Sequence, residues 1–434
     1  MDKQSIINDF TAHVSAGKAA FYTKYGMDFV MGHREGSWLD DIDGGKQLFN
    51  CHSNGGVFNL GHRHPEIIAT LRSALDDLDI GNHHLMSQER AVLAKQITDS
   101  MPGDLSVCIF GVGGGEAIDL ALKLALGHTG RSRIISANGG YHGHTGLALS
   151  VGDAQYREPF GIGLADMQQV PFNKLDALEA ALDDQVAAVI LETIPATLGM
   201  VMPEPGYLER VRALCDQNGT LLIMDEVQTG LGRTGKLWAF EHAGITPDMV
   251  VIGKGLSGGI YPIAATIIRE NLDAIFKKDP FIHISTFGGS ELGCRVGQKV
   301  MSISSDDNFL KRVELAGQKV RNGLDKLRKK YPKFFTGIRQ SGLMIGLELR
   351  DNYAGPALTK AAYDQDLLIV YANNDPSVCQ FLLPLTITDE EIDLVMDKLD
   401  RALNSARKLR AALVAKEKTG PLLKRFSKKN GESS

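Results

Sequence analysis

Ile252-Gly253-Lys254-Gly255-Leu256-Ser257-Gly258-Gly259 is the stretch from which the rest of the chain can be read. The apolar run Met249 to Ile252 leads into it and has the composition of a buried strand. A lysine between two glycines then stands where that strand ends. In open α/β sheets, ligands bind outside the carboxyl ends of the strands. Glycine lets backbone approach a ligand closely and reach positive φ. A lysine desolvated there loses its proton readily and serves as a nucleophile or Schiff-base amine. Taken alone, the segment also reads as a surface lysine on a glycine turn.

A second strand end adds a carboxylate. Thr220 to Met224 is another apolar run, and it closes in Asp225-Glu226-Val227-Gln228-Thr229-Gly230. An acid placed last on a buried strand needs a cation or strong hydrogen bonds. Pyridoxal phosphate asks for both features, an acid at its ring nitrogen and a lysine at its aldehyde. Two neighbouring strand ends could present them together.

Met224-Asp225-Glu226-Val227-Gln228-Thr229-Gly230-Leu231-Gly232-Arg233-Thr234-Gly235, followed by Gly253-Lys254 and Leu256-Ser257-Gly258-Gly259, resembles the class III aminotransferases. The resemblance runs from Trp38 to the last helix and is densest from Asp225 to Gly289. It implies an α/β fold of the fold-type-I pyridoxal phosphate enzymes: a mainly parallel central sheet with helices on both faces, plus a smaller α/β domain. The division expected is an N-terminal segment, 1–55, joining the small domain; a large cofactor-binding domain, 56–300; and a small C-terminal domain with a basic tail, 301–434.

Composition is that of an ordinary soluble globular protein. The 434 residues can bury a large core, and the net charge of −5 argues against general nucleic-acid binding. The five cysteines, Cys51, Cys108, Cys215, Cys294 and Cys379, form no C-x-x-C pair, so neither a disulfide framework nor a zinc knuckle is expected. Met1 to Ser5 is polar and lacks a signal-peptide core, and no apolar run is long enough to span a membrane. The expectation is a cytoplasmic protein.

Along the chain, residues up to about Phe29 read as one helix and a connection. Trp38 to Lys46 reads as a hairpin turning at Asp43-Gly44. Gly61-His62-Arg63-His64-Pro65 reads as a tight turn with Pro65 opening a helix, in preference to a metal site. His83-His84 reads as loop. Val107 to Phe110 is a short strand that runs into Gly111-Val112-Gly113-Gly114-Gly115-Glu116 and a helix from Ala117 to Leu126. A glycine loop feeding a helix N-terminus suits a phosphate, since free N–H groups and the dipole face the anion. The dinucleotide fingerprint fails because Glu116 holds its last glycine position. Ser132 to Ala137, Val186 to Leu191 and Tyr261 to Ile268 read as further strands, and Pro205 to Asn218 as an amphipathic helix. Beyond Met301, helices such as Asn308 to Lys330 alternate with strands Met344–Leu349 and Leu367–Val370. Thr388 with Glu391 reads as a capping box. The basic tail from Arg407 reads as frayed and solvated.

The resemblance assigns roles residue by residue. Lys254 carries the cofactor as a Schiff base and moves the proton, and Asp225 keeps the ring nitrogen protonated. Gln228 bonds the ring oxygen. Tyr141 stacks on the ring beside His142, with Val227 on the opposite face. Glu192, closing its strand, supports the site. The loop Gly113-Gly114-Gly115 and Thr286 of a partner subunit hold phosphate, which implies a homodimer. The loop departs from the usual N-S-G-T-E-A, with Gly113 and Gly115 at the small hydroxyl positions, so backbone alone would hold the anion. Two further departures bear on substrate. Gln380 stands where many members have an arginine that grips a carboxylate, and Thr197 replaces the glutamate that alternates with it. The expectation is an aminotransferase acting on an amine or amino acid, β- or ω-amino included, and a keto acid, with α-ketoglutarate not gripped in the usual way. An epimerase, aminomutase or decarboxylase on the same scaffold is the alternative. A nicotinamide-dependent oxidoreductase using the Gly111 loop and a non-catalytic protein of this fold stand further off.

Overall fold

The structure, a computed structural model, describes residues 1–163 and 166–417. Its central sheet has seven strands: β1 (Leu105–Gly111), β2 (Arg133–Ala137), β3 (Met167–Val170), β4 (Val186–Glu192), β5 (Leu221–Asp225), β6 (Met249–Ile252) and β7 (Ala264–Arg269). Their order is β1-β7-β6-β5-β4-β2-β3. From β6 to β3 every pair is parallel, while β7 runs antiparallel to both β6 and β1.

The apolar runs become strands because both faces of this sheet are covered. Every residue of β4 is buried. Alternate side chains go to opposite faces. Val189 and Leu191 join one core with Leu222, Met224, Val250 and Ile252. Ala188 and Ile190 join another with Ile223, Met249 and Val251. Helix Tyr207–Asn218 closes the first face through Leu208, Val211 and Leu214. Helix Gly114–Thr129 closes the second through Ile118, Ala121, Leu122 and Ala125. Such double cover is what lets a parallel strand be apolar throughout.

A second sheet, antiparallel, joins Phe335–Ser341, Met344–Leu349, Val378–Phe381 and Val370–Tyr371. Helices Asp307–Lys330, Ala354–Tyr363 and Asp389–Glu417 share one core with it, which Phe49 and Cys51 enter from the N-terminal segment. The hairpin Trp38–Asp41 and Gln47–Asn50 turns at Asp43-Gly44, and its second strand pairs in parallel with Leu367–Leu368. Thr388 and Glu391 exchange the two capping bonds, at 3.0 and 3.2 Å. Pro65 opens helix Pro65–Ala74. Among the described residues, no helix is long and apolar enough to cross a membrane.

Four local expectations are corrected. The N-terminus holds two helices, Lys3–His13 and Ala16–Lys24, and a strand, Met31–Glu35. That strand is exposed on both sides and so shows no apolar alternation. Leu367–Val370 is not one strand: Leu367–Leu368 joins the hairpin sheet and Val370–Tyr371 the C-terminal sheet. The strand placed at Tyr261 starts at Ala264, because Tyr261 and Pro262 lie in the turn that precedes it. The chain is not frayed at Arg407. The last helix runs to Glu417, where Arg410 bonds Asp351 and the Arg407 guanidinium lies 5.1 Å from the Tyr331 ring centre. The remainder of the basic tail falls outside the described residues.

Candidate active site

Strand register builds the site. Glu192 pairs with Asp225, and Asp225 with Val251. The carboxyl ends of β4, β5 and β6 therefore stand side by side, with Lys254 just beyond β6. Lys254 takes φ +41°, a left-handed conformation uncommon for a residue with a side chain. Ser257 holds it there: Oγ donates to the Lys254 carbonyl at 2.6 Å and accepts the Gly259 N–H at 3.0 Å. Glycine is required at 259, where φ is +69° and a Cβ would fall 2.5 Å from Phe58 Cδ1. Such backbone strain collects at functional sites.

The Lys254 amine donates to Gln228 Oε1 at 2.8 Å. Burial pushes its pKa below the ordinary lysine value, although Asp225 and Glu192 oppose this. Asp225 Oδ2 lies 2.8 Å from His142 Nδ1, and Oδ1 accepts the Val227 N–H at 3.0 Å. The pair is dry, with side chains 5% and 0% exposed. Burial alone would discharge the His142 imidazole. The Asp225 and Glu192 carboxylates outweigh it and hold the His142 pKa above its usual value. Glu192 accepts the N–H groups of Tyr141 at 2.9 Å and Ala196 at 3.4 Å, while burial pushes its carboxyl up to about 7. Tyr141 is half-buried in an aromatic group, its ring centre 5.2 Å from that of His144 and 5.8 Å from that of Tyr156. Glu226, next to Asp225, faces elsewhere: it accepts from Ala239 and Phe240 N–H at 2.8 and 3.0 Å and holds the turn there.

The glycine loop starts helix Gly114–Thr129 with Gly113 as its cap. The loop comes close to the site for a steric reason. A Cβ on Gly114 would lie 3.0 Å from Val227 Cγ1, and one on Gly115 2.8 Å from Thr145 Oγ1. The first-turn N–H groups of a helix have no acceptor within it. The structure thus brings together Lys254, Asp225, His142, Glu192, Tyr141, Val227, Gln228 and the loop.

Three other residues lie differently. Thr286 is exposed, outside this buried group, on a loop pressed against Phe110. Thr197 donates to the Gly139 carbonyl at 3.3 Å. Gln380 is buried in strand Val378–Phe381.

His52 and Gly55 escaped the sequence reading. Asn50 Oδ1 accepts the N–H groups of His52 and Ser53 at 3.1 and 2.8 Å, and the backbone from Ser53 to Gly56 then turns left-handed, φ +48° to +97°. A Cβ on Gly55 would sit 3.6 Å from Lys254 Nζ and 3.7 Å from Gln228 Oε1. Arg233, quoted in the motif but given no role, is fully buried, with Nη1 on the carbonyls of Leu383 (2.5 Å) and Leu343 (3.2 Å) and Nη2 on Asn59 Oδ1 (2.5 Å). The run of Ser-Asn-Gly-Gly was the only local signal.

The fit to pyridoxal phosphate rests on these contacts. Among the described residues, His142 Nε2 and Gln228 Nε2 are buried without a partner. An amine, a carboxylate, a helix N-terminus and a flat-sided aromatic converge on ground that glycines keep clear of side chains.

A family profile, aminotransferase class-III, matches residues 22–403. The chain belongs to the class III aminotransferases, pyridoxal phosphate-dependent enzymes that move an amino group from an amine or amino acid to a keto acceptor. It is 54% identical over 408 residues to an uncharacterized aminotransferase of Archaeoglobus fulgidus, covering 94% of this chain and 96% of that one. The ornithine aminotransferase of Toxoplasma gondii ME49 is 26% identical with a TM-score of 0.86, over 94% of this chain and 96% of that one. Acetylornithine aminotransferase of Elizabethkingia anophelis is 25% identical with a TM-score of 0.78, over 93% and 99%.

Proposed function

We propose that this chain carries out its amino-group transfer with pyridoxal phosphate held by Lys254, Asp225, Tyr141, Val227, Gln228 and the N–H groups of the Gly113–Gly115 loop. The observation that supports it most is the Glu192–Asp225–Val251 register, which sets the Lys254 amine and the buried Asp225–His142 pair on adjoining strand ends. The cofactor, when bound, supplies an aldehyde that takes up an amine and a ring that spreads carbanion charge. Lys254, its pKa lowered by burial, is the base that moves the substrate proton. Asp225, fixed by His142 and the Val227 N–H, presents its carboxylate at the end of its strand. Glu192 ties the Tyr141 loop to the sheet. Gln228, bonded to Lys254, orients the amine.

On the same footing, the enzyme works as a homodimer in which Thr286 reaches the partner's site. Leu85, Met86, Phe281, Ile282 and Phe287 are large apolar side chains left exposed near that loop, as an interface requires. The divisions 1–55, 56–300 and 301–434 are likewise proposed. Separate cores support the last two, and the pairing of Gln47–Asn50 with Leu367–Leu368 supports the first. Substrates are small amines or amino acids and keto acids, without an arginine grip at Gln380.

The test is the visible spectrum of the purified protein before and after a panel of amines, with no acceptor added. A cofactor band that amines bleach, and that Lys254→Ala leaves unbleached, is expected. Turnover retained by Lys254→Ala refutes the assignment. Sedimentation velocity tests the dimer.

A further inference from the structure

Three parts of the chain meet at the Arg233 guanidinium. Nη1 donates to the carbonyls of Leu383 and Leu343, beside the C-terminal sheet, and Nη2 to Asn59 Oδ1. Nε has no partner among the described residues, so the head group is fixed through its two Nη atoms. The Arg233 backbone joins the same seam, its carbonyl accepting the Leu343 N–H at 3.0 Å. A Cβ on Gly342 would lie 2.5 Å from the Thr234 carbonyl carbon, so the two segments touch backbone to backbone.

Asn59 carries these contacts on to Lys254. Its buried side chain lies against the Lys254 turn: a Cβ on Gly255 would fall 3.0 Å from Asn59 Nδ2, and one on Gly56 3.4 Å from Oδ1. A Cβ on Gly56 would also stand 3.5 Å from the Gln228 carbonyl oxygen, and one on Gly55 3.6 Å from Lys254 Nζ. Gly55 and Gly56 have no side chains with which to hold themselves there. They are held from outside. Ser53 Oγ donates to the Leu382 carbonyl, the Leu382 N–H to the Cys51 carbonyl and the Leu385 N–H to the Asn59 carbonyl, each at 2.7 Å.

We propose that Arg233 and Asn59 form a positioning strut that sets Gly55 and Gly56 against Lys254 and Gln228, and so fixes the amine for proton transfer. The inference rests on the role proposed for Lys254. A guanidinium suits the task because its planar fork serves acceptors on two Nη atoms at once, whereas the donors of a lysine all leave one atom. Bonds from a charged donor are also the stronger ones, which stiffens the link. A misplacement of about 1 Å at a reacting group can cost about a hundredfold in rate. Losing the strut therefore slows the chemical step and leaves amine binding nearly intact.

The experiment compares Asn59→Leu, Asn59→Asp and Arg233→Lys with the native holoenzyme. The amine half-reaction is followed in single turnovers, per bound cofactor, over a range of amine concentrations. Asn59→Leu leaves the guanidinium both carbonyl acceptors; its limiting rate should fall at least about tenfold, with half-saturation within about threefold of native. Asn59→Asp keeps an acceptor oxygen and should recover much of that rate. Arg233→Lys keeps the charge without the fork and should be as slow as Asn59→Leu. The double variant should be no slower than the slower single, because the two residues act as one unit. Should Arg233→Lys not fold, the two Asn59 variants decide alone. In the apoprotein, amide exchange over residues 51–59 should quicken at least about tenfold in Asn59→Leu, with Val186–Glu192 unchanged. Limiting rates within about threefold of native in Asn59→Leu, or an effect confined to amine affinity, overturn the strut while the role of Lys254 stands. No spectral response of the native enzyme to any amine, or turnover retained by Lys254→Ala, overturns both.

Discussion

Asp225→Asn removes one charge from the driest part of the site and leaves its shape. At the 2.8 Å between Asp225 Oδ2 and His142 Nδ1, two unit charges attract by about 6 kcal/mol at an effective dielectric constant of about 20. That attraction, with a smaller one from Glu192, is what keeps the His142 pKa high against burial. With asparagine at 225 the balance reverses, and His142 should become neutral in the folded protein. A neutral amide–imidazole hydrogen bond can remain, and the Val227 N–H still has an acceptor, so stability should fall by only about 1–2 kcal/mol. The chemical step should suffer more. Losing even half of the charge interaction, about 3 kcal/mol, slows a reaction by about a hundredfold. The assay is twofold: imidazole resonances of labelled protein followed against pH, and the rate of the amine half-reaction. A His142 that still titrates above its ordinary value in the variant refutes the electrostatic reasoning. A half-reaction rate within about threefold of the native rate refutes the role given to Asp225.

Arg233→Met leaves two backbone carbonyls and Asn59 Oδ1 without their buried donors, and should lower stability by about 3–5 kcal/mol in denaturant titrations; a change below about 1 kcal/mol would show that the guanidinium contributes nothing net. Gly259→Ala combines a left-handed φ with a Cβ 2.5 Å from Phe58; it should lower stability by about 2–4 kcal/mol and disturb the Lys254 turn, and an unchanged melting temperature would contradict this. Burial sets Glu192 at about 7 in the folded protein against an ordinary 4.5. A raised acid favours folding fully below its unfolded pKa, and that contribution is lost as pH climbs through the folded value. Glu192→Gln should therefore gain stability over the native enzyme across that window, by about 3 kcal/mol at most, and a difference that does not change with pH would refute it.

The strands of the central sheet were legible because each is buried on both faces and reads as an unbroken apolar run, as β4 and β6 do. Lys254 and Asp225 were legible because each sits directly at the end of such a run. Met31–Glu35 was not legible: exposed on both sides, it carries no apolar pattern. The stretch Leu367–Val370 concealed a change of sheet, which depends on partners far away in sequence.

The chemistry followed the same division. The amino-acid sequence by itself determined the lysine, the acid and the glycine loop, since each is a local motif at a strand end or helix start. Only the tertiary structure decided that His142 is the partner of Asp225, that Arg233 lies buried beside neutral acceptors, and that the Gly55 backbone lies against the Lys254 amine. Those contacts join segments that strand register and helix packing bring together, and no spacing along the chain encodes them.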